Sequence, residues 1–111
     1  MTVSRKTSAD VTISALSTEQ NITTITDAGV YELNIDVNAL VNGETLILRA
    51  YGKVRSGGTE RLRHEWWIKH GQYKKFVSCL PLSNVDHLRL TIEQRGGTAR
   101  TFPTSVYQLD A

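Results

Sequence analysis

Between Leu46 and Leu62 the chain reads LILRAYGKVRSGGTERL, and this stretch restricts the fold more than any other. Leu46, Leu48, Ala50 and Val54 fall on one side of a period-2 pattern, with Ile47, Arg49, Tyr51, Lys53 and Arg55 on the other, as successive side chains of an extended strand do. Ser56-Gly57-Gly58-Thr59 then supplies the small residues that a tight reversal needs. Arg61 to Lys69 alternates again, so an antiparallel partner returns along the first strand. The centre of the protein is expected to be a long twisted ribbon rather than a cleft lined with reactive groups.

The same pattern recurs on both sides of this hairpin. Ile22 to Thr26 leads into an Asp27-Ala28-Gly29 turn, after which Tyr31, Leu33, Ile35 and Val37 share one face of a half-buried strand. Asn42-Gly43 tolerates the positive φ of a tight turn. A strand beginning near Lys74 and carrying the apolar run Phe76 to Leu80 ends near Pro81, which cannot donate to a ladder. His70-Gly71-Gln72 before it reads as a bulge, loop or turn. Leu88, Leu90 and Ile92 point inward in the next strand while Arg89, Thr91 and Glu93 point out, and Gly96-Gly97 turns the chain toward a last strand from Phe102 to Leu109. Val11 to Gln20 comes nearest to a helical period, without a convincing one. About seven strands in 111 residues predict an all-β chain: a single antiparallel β-sandwich or jelly-roll-like domain over residues 22–111. Its core is expected to hold Leu33, Ile35, Leu46, Leu48, Leu62, Leu88, Leu90 and Ile92.

Residues 1–21 stand apart, rich in Ser, Thr and charge, and predict an extended N-terminal arm, mobile alone and ordered in an assembly. VTISAL within it suits addition to a neighbour's sheet edge, with Val11, Ile13 and Leu16 as apolar contacts. No run approaches the roughly 18–20 apolar residues of a membrane span. The N-terminus lacks the apolar centre of a secretory signal, so a soluble chain without a membrane partner is expected.

A search for chemistry finds little. The single cysteine, Cys79, alternates with Val77 in an apolar run and reads as a buried, inert thiol. The acidic residues sit on outward faces or in turns, with nothing that brings two of them across a cleft. His64, His70 and His87 lack metal-ligand spacing, and His64 reads as packing at the core margin. Neither glycine pair has the Lys, Ser/Thr and following helix of a phosphate loop. The expectation is no catalytic residue, no cofactor and no metal, hence a structural or binding module.

The net charge of +2 hides an uneven distribution. Arg49, Lys53, Arg55, Arg61, Arg63, Lys69, Lys74 and Lys75 face only Glu60 and Glu65 between residues 49 and 75. Such a cluster steers toward phosphates or toward an acidic protein surface. Tyr51 and Trp67 alone share its parity as stacking platforms, which disfavours nucleic acid. Trp66 and Trp67 point to opposite faces, so one of them is free to serve an interface. Tyr51, Arg63 and Trp67 therefore join Val11, Ile13 and Leu16 as candidate partner-binding residues.

Three segments carry a resemblance. Thr26-Asp27-Ala28-Gly29-Val30-Tyr31, the run from Leu46 to Thr59, and Gln94-Arg95-Gly96-Gly97-Thr98-Ala99-Arg100-Thr101-Phe102-Pro103 look like a family of short virion-associated proteins encoded in the structural gene clusters of tailed bacteriophages. The likeness spans about residues 22–109, and its motifs are turns and strands rather than active-site signatures. It implies a virion component, with a head decoration or cement protein foremost. Its partner would then be the major capsid protein or another virion structural protein, and a homo-oligomer, by preference a trimer, would suit local three-fold sites. A tail, neck or baseplate component and a glycan- or nucleic-acid-binding accessory are the alternatives.

Overall fold

The computed structural model describes residues 2–69, 75–79 and 81–110, which form nine strands. In chain order these are β1 Thr2–Thr12, β2 Gln20–Ile25, β3 Gly29–Asp36, β4 Thr45–Gly52, β5 Arg61–Lys69, β6 Phe76–Ser78, β7 Leu82–Asn84, β8 Leu88–Arg95 and β9 Thr101–Asp110. One sheet runs β1-β9-β3-β6 with β7 also on β3, and the other runs β2-β8-β4-β5. Every pairing is antiparallel. Two β segments exceed the expected count: β1, and β7, whose three residues are too short to carry an alternation.

The pairings follow one rule. β6 and β7 hold opposite ends of β3, so they act as two halves of one strand interrupted around Pro81. Counted so, the chain is a ribbon in which first pairs with last, second with next to last, and β4 with β5 at the closed end. Rolling that ribbon brings β9 onto β3 and β8 onto β4, which is the jelly-roll arrangement of a β-sandwich.

Between the sheets lies the core. Leu33, Ile35, Leu46, Leu48, Leu88, Leu90 and Ile92 are buried as expected, joined by Tyr31, Val37, Ile68, Phe102 and Val106. Cys79 is buried and free, its thiol pushed up to about 12 by burial and secondarily by Glu32. Pro103 sits in β9 beyond Thr104, where the register with β3 stops, so its missing donor interrupts no β3 ladder.

Four expectations give way to the structure. Leu62 is 51% exposed because the β4–β5 register slips between Ala50 and Tyr51, so that Tyr51 faces Leu62 and the alternation reverses at the bulge. Val54 lies past the end of β4 in the hairpin loop and is exposed. His64 is exposed too, stacked on half-buried Trp66 with ring centroids 5.5 Å apart, because β5 is the last strand of its sheet. Residues 2–12 of the anticipated arm are an edge strand of the chain's own sheet, paired with β9 from Thr2↔Asp110 to Thr12↔Thr101. Val11 and Ile13 are consequently core residues, leaving only Leu16 of that trio exposed. The strand expected from Lys74 is seen as β6 from Phe76, while His70-Gly71-Gln72, Lys74 and Leu80 lie outside the described residues.

The loops gather at two ends. At one, Ile13 N donates to Arg100 O and Ser17 N to Gln94 O, and the turns at Gly43 and Gly96 meet. Buried Glu44 braces these turns, accepting from the amides of Val41 and Thr98 and from the Arg100 guanidinium at 3.0 Å. Burial pushes the Glu44 carboxyl up, but these donors outweigh it and hold it below the usual range. Gly97 is required beside it: φ is +72° and a Cβ would lie 1.9 Å from the carboxylate. Gln94, buried too, holds the same turn through Arg100 N and the carbonyls of Gly96 and Thr98. At the opposite end lie the β2–β3 turn, the β4–β5 loop and the β7–β8 loop, the first and last of them tied by Asn84 Nδ2 donating to Ile25 O and Asp27 O.

Candidate functional site

Cations on the outer face of the β2-β8-β4-β5 sheet are largely spent on carboxylates. Arg49 Nε donates to Glu65 at 2.7 Å and Nη1 to Glu93 at 2.9 Å, with Glu19 3.7 Å away. Trp67 Nε1 donates to the other oxygen of Glu65, and Arg95 bonds Glu93 while lying over the Trp67 ring at 5.2 Å. Glu19, from the β1–β2 connection, accepts from Tyr51 Oη and Thr91 Oγ1, each at 2.5 Å. The sequence reading put Thr91 and Glu93 on a solvated face, but Glu19 and the long side chains around them keep both buried. Three carboxylates thus converge on one guanidinium, an assembly that strand alternation alone does not reveal.

This network suits rigidity rather than proton transfer. Bonds to Arg95 and Arg49 hold the Glu93 carboxyl below its ordinary range despite burial, and Arg49 and Trp67 do the same for Glu65. Burial pushes Glu19 up, but Thr91, Tyr51 and Arg49 together bring it below normal. Glu60 is held down to about 2 by Arg89 first and His87 second, against burial. Carboxylates with depressed values stabilise the fold above the unfolded value of 4.5 and lose that contribution as the pH falls through their folded values. The thermal midpoint should therefore be nearly level between about pH 6 and 8 and fall steadily between about pH 4.5 and 2. Thermal melts across that range check this; a midpoint that holds or rises on acidification would contradict it.

Tyr51 and Trp67 do not form a bare aromatic patch. Tyr51 is half-buried, bonded to Glu19 and covered by Arg89 at 4.4 Å from its ring centre, whereas Trp67 is 49% exposed beneath Arg95.

Four cations that the described residues leave without a carboxylate partner lie together at the closed end of the ribbon. A groove of about 450 Å³ runs between the β4–β5 loop and the β7–β8 loop, lined by residues 52–56, 61–63 and 83–87. Lys53, Arg55, Arg61 and Arg63 border it, against Asp86 as the one carboxylate of the lining. Among the described residues none of these four cations has an acidic partner. Val54, Leu62 and Val85 supply exposed aliphatic surface, at 98%, 51% and 80% exposure. The bulge in β5 turns Leu62 into this groove, which is the use proteins often make of a bulge.

Its walls are fixed. Arg63 crosses the face of Gly52, where a Cβ would meet its Cδ at 2.5 Å, and Nη1 donates to Ser83 O at 2.6 Å. Beside the groove, Glu60 takes a bidentate bond from Arg89 and approaches His87 Nε2 at 2.5 Å. Of the residues singled out from the sequence, Arg63 belongs to this groove; Tyr51 and Trp67 belong to the sheet face, Leu16 to the β1–β2 connection, and Val11 and Ile13 to the core. Leu62, Val54 and Val85 were missed because alternation assigned the first two inward and a lone valine in a polar turn carries no signal. Comparison of the chain with protein-family models, with curated proteins and with solved structures finds no match.

Proposed function

We propose that the chain is a non-catalytic structural protein of a tailed-phage virion, acting as a decoration protein that binds and stabilises the assembled head. The observation that carries this reading is the groove at the closed end of the ribbon, where four cations unpaired among the described residues and three exposed aliphatic side chains meet on a braced surface, while Lys6, Arg49, Arg89, Arg95 and Arg100 elsewhere are in ion pairs. A rigid body with one such surface is suited to docking on a partner. Jelly rolls occur in viral capsid domains as well as in lectins, so the strand order supports the reading by fold-level analogy only. The partner on this reading is the major capsid protein, and a trimer fits sites of local three-fold symmetry. Sedimentation of the pure protein and its stoichiometry on purified particles test this. Trimers, or binding saturating at a fixed ratio to the capsid subunit, support the reading; a monomer that neither assembles nor binds particles would refute it. Binding confined to isolated tails would move the protein to the tail, neck or baseplate.

A further inference from the structure

We infer that the groove between the β4–β5 and β7–β8 loops binds an extended acidic segment of a partner protein, anchored by an aliphatic side chain. The inference rests on the docking role proposed above and specifies the chemistry of the partner. Four cations border the groove, and the described residues leave each without a carboxylate, so the field at its mouth selects an anionic occupant. Charge alone would admit a nucleic acid, but the groove offers no Phe, Tyr or Trp on which a base stacks; His87 is its only ring. It offers Val54, Leu62 and Val85 instead, which favour an aliphatic side chain entering between the charges. The open form, with both loop walls exposed, admits a chain passing through rather than an enclosed small molecule. Arg63 on Ser83 O and Glu60 on Arg89 hold the walls before anything binds, which limits the ordering cost of association.

A fluorescein-labelled peptide of alternating aspartate, glutamate and leucine is the probe, read by anisotropy with the full chain at low salt. The comparisons are the same peptide with serine for leucine and a single-stranded oligodeoxynucleotide of equal charge. Saturable binding of the leucine peptide is expected, weakened about tenfold by Arg55→Glu and by Leu62→Ser and unchanged by Lys69→Glu, which lies at the far end of β5. Because Arg55 and Leu62 are exposed, these variants should melt as the parent does. Equal binding of the serine peptide, equal or tighter binding of the oligonucleotide, or no saturable binding would each overturn the inference. Particle binding separates the two claims. If the parent binds particles and Arg55→Glu with Leu62→Ser binds equally well, the groove assignment fails while the virion reading stands. If the parent binds no particles, the virion reading fails and the peptide titration alone judges the groove.

Discussion

Replacing Phe102 by alanine is expected to cost about 3–5 kcal/mol, whereas the same truncation at Leu62 should cost no more than about 0.5 kcal/mol. Phe102 is fully buried in β9 beside Val11, in a core that the two sheets close from both sides. Removing its ring leaves a cavity that closely packed strands fill poorly, so both the transfer and the cavity contributions are lost. Leu62 had the better apolar pattern in the sequence, but the slip at Ala50/Tyr51 carries it to the outer side. Urea unfolding of the two variants measures the difference. A cost at Leu62 comparable with that at Phe102 would mean that the bulge is misplaced and that Leu62 belongs to the core.

Deleting residues 2–12 is expected to cost about 5 kcal/mol or more, a large part of the roughly 5–15 kcal/mol that holds a domain together. The deletion removes the entire ladder with β9 and the buried side chain of Val11, and strips the cover from the edge of β9. A long strand edge newly open to solvent also invites pairing between molecules. The truncated chain should therefore melt far below the full chain, or aggregate on purification. Far-ultraviolet circular dichroism with urea titration decides this. A truncated chain with unchanged stability would restore a detachable arm, the expectation drawn from composition.

That expectation failed for a physical reason. β1 is exposed at nearly every position, so its sequence, TVSRKTSADVT, shows no alternation and resembles an unstructured tail. Main-chain pairing, one buried valine and a few side-chain bonds, Lys6 to Asp27 and Thr104 Oγ1 to Ala9 O among them, hold it, and none of these leaves a compositional mark. β3, β4 and β8 were legible because one face of each packs on the core and the hydrophobic period reports it directly. The bulge in β5 was invisible because a single extra residue changes the facing of Leu62 without changing the residues themselves. Glu44 and Gln94, which read as ordinary polar positions, are buried braces between two turns that lie 54 residues apart in the case of the Glu44–Thr98 bond. The groove combines residues from both sides of the β4–β5 reversal with the β7–β8 loop, a juxtaposition set by the rolling of the ribbon rather than by any local motif.

On the function proposed above, this jelly roll is a virion component docked through the closed end of its ribbon. The decisive measurement is a cryo-electron microscopy map, at a resolution that separates strands, of a phage particle whose genome encodes this chain. Density for the two sheets is expected on the outside of the head, with Lys53, Arg55, Arg61 and Leu62 turned onto an acidic segment of the capsid subunit. A fully accounted particle with no such density, or the protein bound with this end facing solvent, would contradict it.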